Sequence, residues 1–244
     1  MTADASRRDL LIAAAALSTL ALSSEAAAQV SIQPPVPPSG PKKKLGMVLF
    51  DGFELLDVFG PLEMFGMLKD RVDIVMIADK AGPVRSGAGP QTIADYGFAD
   101  APKLDIVMIP GGIGTRREVG NAVFMDSIRS IADATPRVAT ICTGSGLLAK
   151  TGLIDGVKAT SNKMAWKWAT AQGAKVAWVP QARWVEDGKY ISSSGISAGT
   201  DMALGLIAKL YGKDMAHWVA HRTEYRWNED AADDPFAAMN GLTK

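Results

Sequence analysis

Four stretches of the chain are apolar at nearly every position: KLGMVLF (44–50), VDIVMIA (72–78), LDIVMIP (104–110) and RVATI (137–141). A strand with one wet face alternates apolar and polar side chains, so unbroken runs of this kind predict strands covered on both faces of a parallel sheet. Between them, apolar positions recur at helical spacing over 61–69, 121–133 and 144–150. Strand and helix in alternation predict an α/β fold: a doubly wound, mainly parallel sheet with helices on both faces. Residues 182–193 differ, because two alternating runs flank Asp187-Gly188, which predicts a hairpin. Two closing helices are expected over 197–210 and 213–225. The following WNEDAADDPFAAMN is acidic and without period, and is expected to lie loosely over the surface.

In sheets of this design the working groups collect beyond the carboxyl ends of the strands. That rule selects residues 51–60, 110–115, 142–146 and 192–200 before any chemistry is considered.

Charge narrows the partners. Lys+Arg and Asp+Glu each number 26, so there is no basic field for a phosphate backbone, and nucleic acid is not an expected partner. The first 28 residues are set apart from the fold. Arg7 and Arg8 precede an apolar run over 10–22, and Ala26-Ala27-Ala28 supplies small residues for cleavage. This is the layout of a signal peptide, and the paired arginines point to the twin-arginine route and a periplasmic product. A membrane anchor is the alternative, but the run is shorter than the ~20 apolar residues that a spanning helix needs. No membrane contact is expected after cleavage. Residues 29–44 are rich in proline and read as an extended spacer. A catalytic domain is expected over 45–226 and a C-terminal tail over 227–244.

Cys142 is the only cysteine, so no disulfide forms within the chain. It directly follows the fourth strand and precedes a helix, with small Gly144 two residues on. A nucleophile elbow needs such a sharp turn. The helix N-terminus aimed at the sulfur predicts a lowered thiol pKa. The competing reading is a buried, inert thiol. GSGLLA (144–149) also fits a dinucleotide fingerprint. That motif belongs to the first strand–helix unit with an acid about 20 residues on; here it falls in the fourth unit and Asp155 comes too soon. No cofactor is implied.

Asp57 lies in FELLDVFGPLEMF, where a carboxylate among apolar neighbours is costly to bury without a purpose. It is the candidate proton carrier, with a helix cap before Pro61 as its structural alternative. Glu63 reads as a first-turn charge. Gly111 and Gly112 of IPGGIG let backbone N–H groups approach a developing negative charge. Gly195 and Ile196, in SSGISAGTD, form a second such turn with Ser197 as a cap. His217 and His221 share a face of the last helix with Glu224, but the H-E-x-x-H pattern is absent, so a polar face is expected and no metal. Trp166, Trp168 and Trp184 read as core residues, with pocket walls as the alternative.

Together LFDGFELLDVFGPLEMF, IPGGIG, ICTGSGLLAKTGLIDG, ATSNK and SSGISAGTDMAL resemble the ThiJ/PfpI family over residues 45–225, most of all its isonitrile hydratase branch. The resemblance implies a flavodoxin-like, class I glutamine-amidotransferase-like fold, a homodimer, and a small-molecule substrate. It places the catalytic cysteine, aspartate and threonine of that branch on Cys142, Asp57 and Thr143. Many relatives carry a histidine after the cysteine, or in the turn that here reads Ser161-Asn162-Lys163. Both are missing, which argues against peptidase chemistry, where an amine leaving group needs a proton donor. The expected activity is a cysteine-dependent hydratase or lyase converting an isonitrile to an N-formamide. Glyoxalase-type conversion of 2-oxoaldehydes and a non-catalytic ligand-binding or redox-sensing module are the alternatives.

Overall fold

The computed structural model describes residues 34–36 and 39–243. The expected export segment lies outside them. The described part of the proline-rich spacer is largely exposed, and the first strand, β1 (Lys43–Val48), begins two residues before the expected boundary at Leu45. The chain continues through α1 (Leu55–Gly66), β2 (Val72–Ala78), a hairpin of β3 (Gly82–Arg85) and β4 (Gln91–Ala94), then β5 (Tyr96–Gly97) and β6 (Ile106–Ile109). Next come α2 (Thr115–Glu118), α3 (Ala122–Ala134), β7 (Arg137–Thr140) and α4 (Gly144–Lys150). A small lobe of β8 (Lys158–Ala159), α5 (Trp166–Thr170) and β9 (Ala177–Trp178) follows. The hairpin β10 (Trp184–Asp187) and β11 (Tyr190–Ser193) leads to α6 (Ala198–Tyr211), α7 (Lys213–Arg222) and α8 (Pro235–Met239).

The main sheet runs β10-β11-β7-β6-β1-β2-β5, and every neighbouring pair is parallel except β10 with β11. This is the doubly wound design that the apolar runs predict. Met47, Ile106, Met108 and Ile109 are fully buried in the central strands because helices cover both faces. Gly188, at φ 62°, makes the tight turn of the β10–β11 hairpin.

Two local expectations are corrected. Helix α1 does not start at Pro61 but at Leu55, with the proline inside it. The missing proline N–H removes a bond within the helix, and the burial of Val58, Leu62 and Phe65 offsets that loss. Asp57 is thereby drawn into the first turn and fully buried, while Glu63 falls mid-helix and exposed. The acidic tail is not loose either. The Ala231 carbonyl accepts the Arg183 N–H at 2.7 Å, and Asp234 is buried and ion-paired with Lys163 at 3.3 Å. A buried lysine needs an anion, and the tail supplies it.

Candidate active site

The four strand-end stretches meet. The Glu54 N–H donates to the Gly111 carbonyl at 2.9 Å, and the Cys142 N–H donates to the Ser194 carbonyl at 3.2 Å. The Gly111 N–H donates to Asp57 Oδ2 at 2.8 Å, and the Gly112 N–H to Thr143 Oγ1 at 3.1 Å. Neighbouring parallel strands end on one level, so the residues just past β1, β6, β7 and β11 converge on one site.

Cys142 holds φ 55° between β7 and α4, the left-handed turn of an elbow. A non-glycine residue there costs about 1–3 kcal/mol, so surrounding contacts must fix it. Ser145 Oγ and Ser161 Oγ both donate to the Cys142 carbonyl at 3.0 Å. The sulfur faces the N–H groups of Thr143 and Ile196 and the Asn162 side chain. Asn162 Oδ1 accepts from the Ala165 N–H at 2.9 Å, which leaves its NH₂ for the sulfur. Gly195 makes room for that amide, because a Cβ at 195 would overlap Nδ2.

These donors do not lower the thiol pKa as the elbow position predicts. Cys142 is only 5% exposed, and burial, reinforced by the neighbouring Asp57 charge, pushes it up to about 12. Asp57 rises for the same first reason, to about 8, with Glu54 adding repulsion and the Gly111 N–H opposing. Near neutral pH both groups therefore hold their protons. Oδ2 accepts from Gly111, while Oδ1 is buried and without a hydrogen bond. Oδ1 is thus the carboxyl oxygen that no backbone N–H occupies.

Thr143 Oγ1 ties the elbow to the glycine turn and also meets Thr115 Oγ1 and Arg116 Nη1, each at 3.3 Å. Arg116 is a site residue that the sequence reading passes over. Its guanidinium lies 4.2 Å from the Trp168 ring centre, and its charge acts on Cys142. The turn Ser161-Asn162-Lys163 is equally informative: Ser161 holds the elbow carbonyl, Asn162 faces the sulfur, and Lys163 binds the tail. Burial lowers Lys163 to about 8, with Asp234 opposing the fall.

Other candidates fall elsewhere. His217 is exposed, contacting Glu229 and the Trp227 ring, and His221 is exposed on the same helix. No group of three or more metal-ligating side chains occurs among the described residues. Ser197 stands at the start of α6 without a side-chain cap bond; Arg183 Nη2 reaches its hydroxyl instead at 3.5 Å. Trp184 packs on Gly205, but Trp166 and Trp168 are walls rather than core, lining an open groove of about 640 Å³ with Arg116 and the tail residue Leu242.

Comparison with known proteins agrees with this geometry. An isonitrile hydratase from Pseudomonas putida is 34% identical over 182 residues, 75% of this chain and 78% of that protein. The HTH-type transcriptional regulator GbdR from Pseudomonas aeruginosa is 28% identical over 86% of this chain, which spans only 59% of the regulator. A crystal structure of a ThiJ/PfpI family protein from Pseudomonas syringae superposes with a TM-score of 0.73 at 26% identity, covering 89% of this chain and 93% of the other. The DJ-1/PfpI family pattern matches residues 43–209. With the elbow cysteine, the glycine turn and the parallel sheet all inside that match, the chain belongs to the DJ-1/PfpI family.

Proposed function

We propose that this protein is a cysteine-dependent hydratase that converts a small isonitrile to the corresponding N-formamide. The observation that carries this reading is the buried Asp57 carboxyl, still protonated near neutral pH, facing Cys142 where no histidine is present. The 34% identity to a protein named isonitrile hydratase supports the same reaction.

The chemistry suits one proton carrier. Asp57 Oδ1 delivers its proton to the terminal carbon of the isonitrile, which becomes electrophilic. The Cys142 sulfur bonds to that carbon, and its proton passes to Asp57, leaving a thioimidate, S–CH=N–R. Asp57 then protonates the nitrogen and takes a proton from the attacking water. Collapse of the tetrahedral adduct breaks the C–S bond, returns the proton to sulfur and releases the formamide. Each step leaves Asp57 protonated, so a carboxyl whose pKa lies above the working pH is matched to the cycle. Sulfur becomes anionic only as its bond forms, where the Thr143 and Ile196 N–H groups and Asn162 face it.

The test is product analysis. Protein mixed with cyclohexyl isocyanide should give N-cyclohexylformamide, and Cys142→Ala should give none. Disappearance of methylglyoxal with no formamide from the isonitrile would transfer the site to glyoxalase chemistry. Alkylation of Cys142 without turnover of either compound would make the domain a binding module. The export signal belongs to the same proposal: Arg7-Arg8 and the 10–22 run should direct cleavage near Ala28, read by N-terminal sequencing of the periplasmic protein.

A further inference from the structure

The groove beside the elbow has a sign. Its walls include Trp166, Trp168, Met164 and Leu242, and its charged lining residues are Arg116, Lys163 and Lys167, with no acid among them. Lys163 is neutralised by Asp234. Arg116 and Lys167 have no carboxylate partner among the described residues. Arg116 spends one nitrogen on the site: Nη1 donates to Thr115 Oγ1 at 2.9 Å, the Gly112 carbonyl at 3.2 Å and Thr143 Oγ1 at 3.3 Å. Its Nε and Nη2 make no hydrogen bond among the described residues. Those two N–H groups form the edge of a guanidinium that grips a carboxylate bidentately. The ring of Trp168 beneath it fixes the plane of that fork. Arg116 thus belongs to the groove and, through Thr143, to the elbow.

We infer that this groove is the subsite for the substrate's substituent and that Arg116 reads a carboxylate on it, so that the preferred substrates are electrophiles carrying an apolar arm with an anionic group. For the word isonitrile this rests on the reaction proposed above; the carboxylate site itself does not. Apolar arm and carboxylate match what the groove offers, two indoles and an unspent guanidinium edge.

Alkylation of Cys142 reads the site without any turnover. Iodoacetate and iodoacetamide attack the same thiol and differ by one charge, as do 3-maleimidopropionate and N-ethylmaleimide with a longer reach. In at least one pair the acid-to-neutral rate ratio should exceed that of N-acetylcysteine, and Arg116→Met should lower it about tenfold, the weight of one charge-assisted hydrogen bond. Lys175→Met removes an exposed cation paired with Asp155 and should leave the ratio unchanged. Ratios equal to those of N-acetylcysteine in both pairs, or unchanged by Arg116→Met, overturn the inference. The two proposals fail separately. Hydration of neutral isonitriles with no carboxylate preference keeps the reaction and removes the subsite. A carboxylate preference in alkylation with no hydration keeps the subsite and removes the reaction.

Discussion

Asp57 and Asp201 are both buried, on helices α1 and α6 that pack together, yet they are housed differently. Asp201 is saturated: Arg183 pairs with it, the Tyr225 hydroxyl donates at 3.0 Å, and the Asn228 N–H donates at 2.9 Å. Asp57 receives a single backbone N–H and keeps one oxygen bare. A buried carboxylate with a cation and several donors is fixed in place by them. Asp57 has no cation to offset its burial, so its carboxyl is pushed up to about 8 and retains a proton near neutral pH. Both acids are buried, so the difference between them lies in their partners.

The sharpest way to break that contrast is Asp57→Asn. Hydration should fall by about 10²–10⁴, the usual weight of a positioned acid–base group, while the melting temperature holds or rises. Steady-state kinetics and a thermal melt on the same sample decide it, and activity within a few-fold of the parent would remove Asp57 from the mechanism. The mirror experiment is Asp201→Ala. It strands Arg183 and should cost about 3–5 kcal/mol in urea unfolding, with the alkylation profile of Cys142 in the folded protein unchanged. Loss of activity at full stability would erase the distinction.

A pH series sharpens it further. Activity that needs protonated Asp57 should be present below about 8 and fall as pH rises through that value. The stability sign follows from the same shift. Asp57 is raised from 3.8 to about 8 on folding, so its stabilising protonation is complete below 3.8 and is lost as pH climbs to about 8. The stability advantage of Asp57→Asn over the parent should therefore widen across that window, read by denaturant melts at several pH values. The smallest effect belongs to Glu63→Gln, an exposed change on the same helix, which should stay within about 0.5 kcal/mol.

Much of this arrangement is legible along the chain. The apolar runs mark the strands, the strand-end rule gathers the four site stretches, and an acid among Leu55, Leu56, Val58 and Phe59 marks Asp57. Pro61 misleads, because a proline that suits a first turn can also sit inside a helix whose apolar face is well buried. Arg116 leaves no local trace: an exposed arginine after a glycine turn looks like any solvated charge until Trp168 is brought beneath it. The tail misleads for a related reason. Its acids read as a solvated run, and only the fold shows that Asp234 answers a lysine in a distant turn. The sign of the Cys142 shift also depends on the fold, since an elbow shows its donors locally but not the burial that outweighs them.

The glycine turns around Cys142 are packed against main chain. A Cβ at Gly111 would stand 2.6 Å from the Thr143 nitrogen, one at Gly112 would overlap the Gly52 carbonyl oxygen, and one at Gly144 that of Ile109. No point mutation can add bulk there without displacing backbone. Side-chain change meets less resistance on the other side, where Met164 and Leu242 line the open groove.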